Sequence, residues 1–222
     1  MLNTIKSYAK INLFLNVVDK LDTGFHELNS VLSRIDLYDE IRIKDESSFS
    51  ISYNGPFGDQ VGSNDHISKL FNYLIDKNYL KQKSFAIHVV KNIPVGSGLG
   101  GGSSNVAEII KYLIRFNLLD NSSSTEIARD LGSDIEFFID EGSALISGKG
   151  NVDQRLKINS DKHFLIVFPN VQNSTKDIFN KHSNLSGEKF SYNKDTNLDG
   201  ILKGTSNELE KTALLTNQEM KK

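Results

Sequence analysis

Apolar and polar positions alternate along the first third of the chain, and the period then lengthens. Ile11 to Val18 is apolar with Asn12 and Asn16 interleaved, which predicts a strand. Leu21-Asp22-Thr23-Gly24 predicts a turn. Ile41-Arg42-Ile43-Lys44 and Phe49-Ser50-Ile51-Ser52-Tyr53 alternate with period two, as half-buried strands do. Asn54 to Asp59 reads as loop. Ile67, Leu70, Phe71 and Leu74 then mark a helix, with a cap expected near Ser63 or Asn64. Phe85 to Val90 returns to a strand pattern. Val106, Ile109, Ile110, Leu113 and Ile114 recur at helical spacing, with Ser103, Ser104 or Asn105 as the expected N-cap. Ser123 with Glu126 has capping-box spacing, and Gly132 is placed to stop that helix. Ser133 to Phe138 begins a new element, and Gly148-Lys149-Gly150 is a turn. Leu165-Ile166-Val167-Phe168, closed by Pro169-Asn170, predicts a short buried strand near a domain change. Asn180 to Gly204 is rich in Asn, Ser, Lys and Gly and reads as loop. Asn207 to Lys222 predicts a last helix with a polar end. Strands precede helices without regular β-α-β alternation, so the fold class is α+β.

Between the strand at 85–90 and the helix after it lies Ile93-Pro94-Val95-Gly96-Ser97-Gly98-Leu99-Gly100-Gly101-Gly102-Ser103-Ser104-Asn105. Glycine lets the backbone adopt positive φ and bring its N–H groups close to an anion. A helix start behind it leaves N–H groups unpaired and adds a positive dipole end. A strand, a glycine loop and a helix in that order make an anion site that needs no cationic side chain. No Lys follows the glycines, so the loop is not of the Walker type. Gly96 to Gly101 matches the spacing of a dinucleotide-binding fingerprint, but the acidic residue that should follow is hard to place.

Composition narrows the class. The 222 residues suffice for one large domain or two small ones. A net charge of −2 gives no electrostatic footprint for nucleic acid. No apolar run approaches a membrane span, and the first residues lack a secretory pattern, so the expected setting is cytoplasmic. The absence of Cys excludes disulfides and thiolate chemistry. The five His show no ligand spacing, and no protein-held metal is expected.

The glycine run resembles the second motif of the GHMP small-molecule kinases. Ser7-Tyr8-Ala9-Lys10-Ile11-Asn12-Leu13 resembles their first motif. Asp22-Thr23-Gly24-Phe25-His26-Glu27-Leu28 and Leu131-Gly132-Ser133-Asp134-Ile135-Glu136-Phe137-Phe138 resemble runs of one subfamily, whose substrate carries a cytidine diphosphate group. The four segments stand in family order, and the likeness spans about Lys6 to Asn207. It implies a two-domain GHMP kinase fold. Residues 1–158 would be an ATP-binding domain like domain 2 of ribosomal protein S5. Residues 159–222 would be an incomplete, ferredoxin-like C-terminal domain. Gly204 to Glu210 resembles an N-D-L-E run that normally leads into a helix and a glycine-rich strand, and the sequence ends before that strand.

The implied activity is ATP-dependent phosphorylation of the 2-hydroxyl of a cytidine diphospho-methylerythritol, a step of non-mevalonate isoprenoid biosynthesis. Asp134 matches the family's catalytic base and Lys10 the cation that orients it. Pro94, Val95, Gly96, Ser97, Gly98, Leu99, Gly100, Gly101, Gly102, Ser103 and Ser104 would hold ATP, with Mg²⁺ carried by its phosphates rather than by a protein cage. Asn12, Phe25, His26, Thr175 and Phe179 would hold the cytidine end, with the two phenylalanines sandwiching the base. Asn64 or Asp65 would meet the adenine. The expected state is a monomer or weak dimer. Tyr8 and Glu136 stand where the family has Pro. If residues 133–138 formed a strand, Glu136 would share a face with Asp134 and raise its pKa. Two other readings remain at this stage: a nucleotide-binding remnant without turnover, and a GHMP kinase for another small alcohol.

Overall fold

The computed structural model describes residues 4–22, 24–62, 65–81, 84–158, 162–169, 175–183, 185, 187, 189–190, 198–203 and 206–217. The elements run β1 (Thr4–Lys20), β2 (His26–Asp45), β3 (Ser50–Asn54), α1 (His66–Asp76), β4 (Phe85–Val90) and α2 (Gly101–Arg115). They continue with α3 (Ser124–Leu131), α4 (Ser133–Ile139), β5 (Ser143–Gly148), β6 (Asn151–Leu156), α5 (Thr175–Lys181), α6 (Leu198–Lys203) and α7 (Leu209–Thr216). The described residues form two compact units whose segments interleave along the sequence. One takes residues 1–9, 35–95 and 99–140, and the other takes 10–34, 96–98 and 141–222. Both long strands, β1 and β2, pass from one unit into the other.

In the first unit the end of β2 pairs antiparallel with β4, from Glu40 opposite Val90 to Asp45 opposite Phe85. β3 pairs parallel with β4 on its other side. Ile41 and Ile43 are buried while Arg42 and Lys44 face out, as the period-two pattern requires. Ile67, Leu70, Phe71 and Leu74 of α1 and Val106, Ile109, Ile110 and Leu113 of α2 are buried. α2 packs against α1 and α4, and α3 against α4.

Several local expectations shift. The cap of α1 is Asp65, whose carboxylate accepts from Ser68 N at 2.7 Å; Ser63 and Asn64 lie outside the described residues. α2 starts earlier than the apolar pattern suggested. Its N-cap is Gly100 at φ +72°, and Gly101 and Gly102 form its first turn. Ser123 makes no side-chain cap for α3, although Gly132 does end it. Ser133 to Ile139 is a helix rather than a strand, so Asp134 and Glu136 point to different sides. Glu136 instead pairs with Arg129 at 2.7 Å.

In the second unit the start of β2 pairs antiparallel with β5, and β5 with β6, across the predicted 148–150 turn. Leu13, Phe14, Val31, Leu145, Leu156, Leu198 and Ile201 form its apolar cluster. Leu198 and Ile201 come from α6, a helix inside the segment read as loop. The N-D-L-E-like run docks on β1: Leu15 N donates to Ser206 O at 3.1 Å and Glu208 N to Leu15 O at 2.9 Å. α7 follows it and packs against α5. Leu165 to Phe168 is neither a strand nor buried, with Leu165 at 90% and Val167 at 78% exposure. Asn170 and residues 218–222 lie outside the described residues.

Candidate active site

The glycine loop leaves β4 and enters α2 with positive φ at every second residue, Gly96 (+70°), Gly98 (+76°) and Gly100 (+72°). α2 has no side-chain cap, so its first N–H groups are left for another acceptor. The floor beneath them is close. A Cβ on Gly101 would lie 2.9 Å from Ile93 Cγ2, and one on Gly102 would lie 3.1 Å from His66 Nδ1. A side chain at Gly101 would force Ile93 to shift, and one at Gly102 would press on the His66 ring. Burial lowers the His66 pKa, with Lys69 adding to the effect, so this ring under the loop is neutral at pH 7. The residues thus fit a polyphosphate: converging backbone donors, a helix dipole and no side chain in the way.

The two serines at the helix start differ. Ser103 is half-buried, while Ser104 is buried and accepts from Ser7 Oγ at 2.8 Å. Ser104 therefore ties α2 to β1. Asp134 stands in the opening turn of α4 in the same unit. Tyr8, in place of the family Pro, packs edge-on to Tyr38 with centroids 5.5 Å apart. At the N-terminus of α1, Asp65 also accepts from Tyr53 OH at 3.0 Å.

The second unit gathers the other candidates. Lys10, on β1, is buried and donates to Asn12 Oδ1 at 2.8 Å. Asn12 Nδ2 donates to Ser30 Oγ at 2.9 Å, and Ser30 Oγ to Phe14 O at 2.5 Å. The lysine head is thus set by a chain of hydrogen bonds rooted in the β1 backbone. Phe25 closes the turn after β1, where Leu21 N donates to Phe25 O at 2.8 Å. Its ring is 60% exposed, and the Lys149 ammonium lies 4.9 Å from its centroid. His26 stacks on Phe179, with centroids 5.4 Å apart and planes 29° apart. Burial lowers the His26 pKa, and Lys20 and His182 add to that. The Thr175 side chain lies outside what is described, although its backbone opens α5.

The residue pattern alone missed Asp39 and Lys91. Their ion pair is fully buried beneath the loop. A signal was present: Asp39 shares the period-two phase of Ile41 and Ile43, so it is a charge in core register. Lys149 was likewise read only as a turn residue.

Comparison with known proteins settles the family. Residues 65–145 match the model described as GHMP kinases N terminal domain. A protein of Pelagibacter ubique (strain HTCC1062) named 4-diphosphocytidyl-2-C-methyl-D-erythritol kinase is 35% identical, over 98% of this chain and 79% of its own length. The chain belongs to that kinase family. A protein of the same name from Prochlorococcus marinus (strain MIT 9301) is 38% identical over 81% of this chain, and the match spans 59% of that relative. A crystal structure of 4-(cytidine 5'-diphospho)-2C-methyl-D-erythritol kinase shares the fold with a TM-score of 0.69 at 24% identity, over 99% of this chain and 80% of that one. Methanococcus jannaschii mevalonate kinase shares it at a TM-score of 0.52 and 18% identity, over 100% of this chain and 79% of that one. The α+β GHMP kinase fold follows from these matches. No helix among the described residues is long and apolar enough to cross a membrane.

Proposed function

We propose that this chain transfers the terminal phosphoryl group of ATP to the 2-hydroxyl of 4-diphosphocytidyl-2-C-methyl-D-erythritol. The observation that carries the reading is the 35% identity to a kinase of that name along 98% of the chain. The loop from Pro94 to Ser104 holds the phosphates through backbone N–H groups, with the α2 dipole behind them. Mg²⁺ carried by the phosphates would supply charge neutralisation there, and Ser103 is the hydroxyl that would meet it. Asp134 accepts the proton of the substrate hydroxyl as its oxygen bonds to phosphorus and the bond to ADP breaks. Lys10, held by Asn12, supplies the cation that keeps the acceptor oriented. Phe25 and Phe179 stack on the cytosine, and His26 hydrogen-bonds its edge. Asp65 lies in the helix start assigned to the adenine.

ADP release by the purified chain with Mg-ATP, with and without the cytidine substrate, tests this. Substrate-dependent ADP is expected, and Asp134→Asn should lower turnover by about 10²–10⁴ with binding retained. ADP formation indifferent to the substrate would overturn the acceptor. ATP binding without any product would make the chain a nucleotide-binding remnant.

A further inference from the structure

A loop with positive φ at alternate residues has little stiffness of its own. Its shape depends on what holds its ends. Those ends meet at one carboxylate. Asp39 Oδ1 accepts from Asn92 N at 2.8 Å and from Ile93 N at 2.9 Å, the two residues that lead into the loop. Asp39 Oδ2 takes the Lys91 ammonium and accepts from Asn105 Nδ2 at 3.1 Å, on the first turns of α2. Asn105 reaches further. Its Oδ1 accepts from Lys91 Nζ at 3.2 Å, and its Nδ2 donates to Ser7 Oγ at 3.0 Å, which in turn donates to Ser104 Oγ. Asp39, Lys91, Asn105, Ser7 and Ser104 are all buried.

We propose that Asp39 is a positioning residue for the phosphoryl donor, which clamps the entry and exit of the glycine loop and so presets its N–H groups for the nucleotide phosphates. The assignment rests on the reading of the loop as the ATP site. Stability alone is a poor reason for such an arrangement, because a buried ion pair commonly does no better than apolar residues of the same shape. Directional reach is a better one. No apolar group can accept two backbone N–H bonds at one end of a loop while it holds a side chain of the helix at the other. Lys91 neutralises the carboxylate and lies close under the helix start, 3.2 Å from where a Gly101 Cβ would be.

The test compares two ligands on one protein. Asp39→Asn keeps the shape but sets an amide against the Lys91 ammonium and the Asn105 amide. Its Kd for ADP should rise about tenfold or more. Its Kd for CDP, the proposed ligand of Phe25 and Phe179, should stay within about twofold. In turnover, KM for ATP should rise while kcat at saturating ATP and KM for the acceptor hold. Should Asp39→Asn not fold, Asp39→Leu combined with Lys91→Met removes both charges together and carries the same test. A folded variant with wild-type ADP affinity overturns the proposal. So does a parallel loss of ADP and CDP affinity, which marks a general structural role. A wild-type chain that binds CDP but neither ADP nor ATP fails differently, because it removes the nucleotide reading of the loop itself.

Discussion

The floor of the glycine loop and the segment from Lys162 to Pro169 invert the usual relation between polarity and burial. Under the loop, a carboxylate, an ammonium, an amide and two hydroxyls are buried and joined by hydrogen bonds. In the segment, Phe164, Leu165, Ile166 and Val167 are exposed and belong to no strand. Burial of polar groups costs free energy unless each finds a partner, so the first arrangement exists only because its geometry is shared among several elements. Exposure of apolar groups forgoes stabilisation without forbidding the conformation. The first unit therefore buries a linked set of polar groups, whereas the second leaves an apolar run at its surface.

Core truncation gives the largest expected contrast. Phe71 is fully buried in the first unit and touches the rings of Phe49 and Phe85. Phe71→Ala should cost about 3–5 kcal/mol in denaturant unfolding. A loss below about 1 kcal/mol would mean that the first unit is not the well-packed scaffold described.

Truncation of a ring proposed to hold the cytosine comes next. Phe179→Ala and Phe25→Ala should each weaken CDP binding by about 1–3 kcal/mol, read by calorimetry. ADP binding should hold, because neither ring is among the loop residues 94–104. The two variants also divide the roles. Phe179 stacks on His26, whereas Phe25 carries Lys149 over its ring. Phe25→Ala with Lys149→Ala should be less than additive if the ammonium acts through the ring.

These residues also show how far the sequence could be read. The glycine loop, β3, β4, α1, α2 and α3 were legible because their patterns are local: period two or 3.6, punctuated by Gly and polar caps. The candidate site residues Lys10, Asp134 and the 94–104 run were named from motifs, because they stand at family spacing. What stayed hidden is non-local. Ser7, 97 positions earlier, donates to Ser104 and ties β1 to α2, a contact that no local pattern reports. Glu136 looked like a neighbour of Asp134 until helical geometry turned it toward Arg129. Val152 and Leu156 of β6 gave too little alternation to declare a strand that pairing with β5 creates. Leu165 to Phe168 looked buried because apolar runs usually are, and no local signal reports that a run lacks a covering layer.

A smaller effect concerns pH. The neutral His26 ring is favoured in the folded chain, because burial lowers its pKa below the ordinary 6.5. Protonation is therefore resisted, and stability is lost only as pH falls below the value of the unfolded chain. CDP affinity should be flat from about pH 8 to about 6.5 and decline below that as the ring gains a proton. His26→Asn should lower the affinity and remove the decline. A decline that begins above pH 7 would show a raised pKa and contradict the burial argument.

The smallest expected change lies in the exposed segment. Leu165, at 90% exposure, has little more contact with the folded chain than with water. Leu165→Lys should therefore move unfolding free energy by no more than about 0.5 kcal/mol, in contrast to Phe71→Ala. The same substitution breaks an apolar run of Phe164 to Phe168, a pattern prone to edge pairing between molecules, so it should also raise the concentration at which the protein stays dispersed. Val167→Lys, on the same argument, should behave alike at 78% exposure. A loss of about 2 kcal/mol from either lysine would have one physical meaning: these side chains are covered in solution, and the second unit buries its apolar residues as fully as the first.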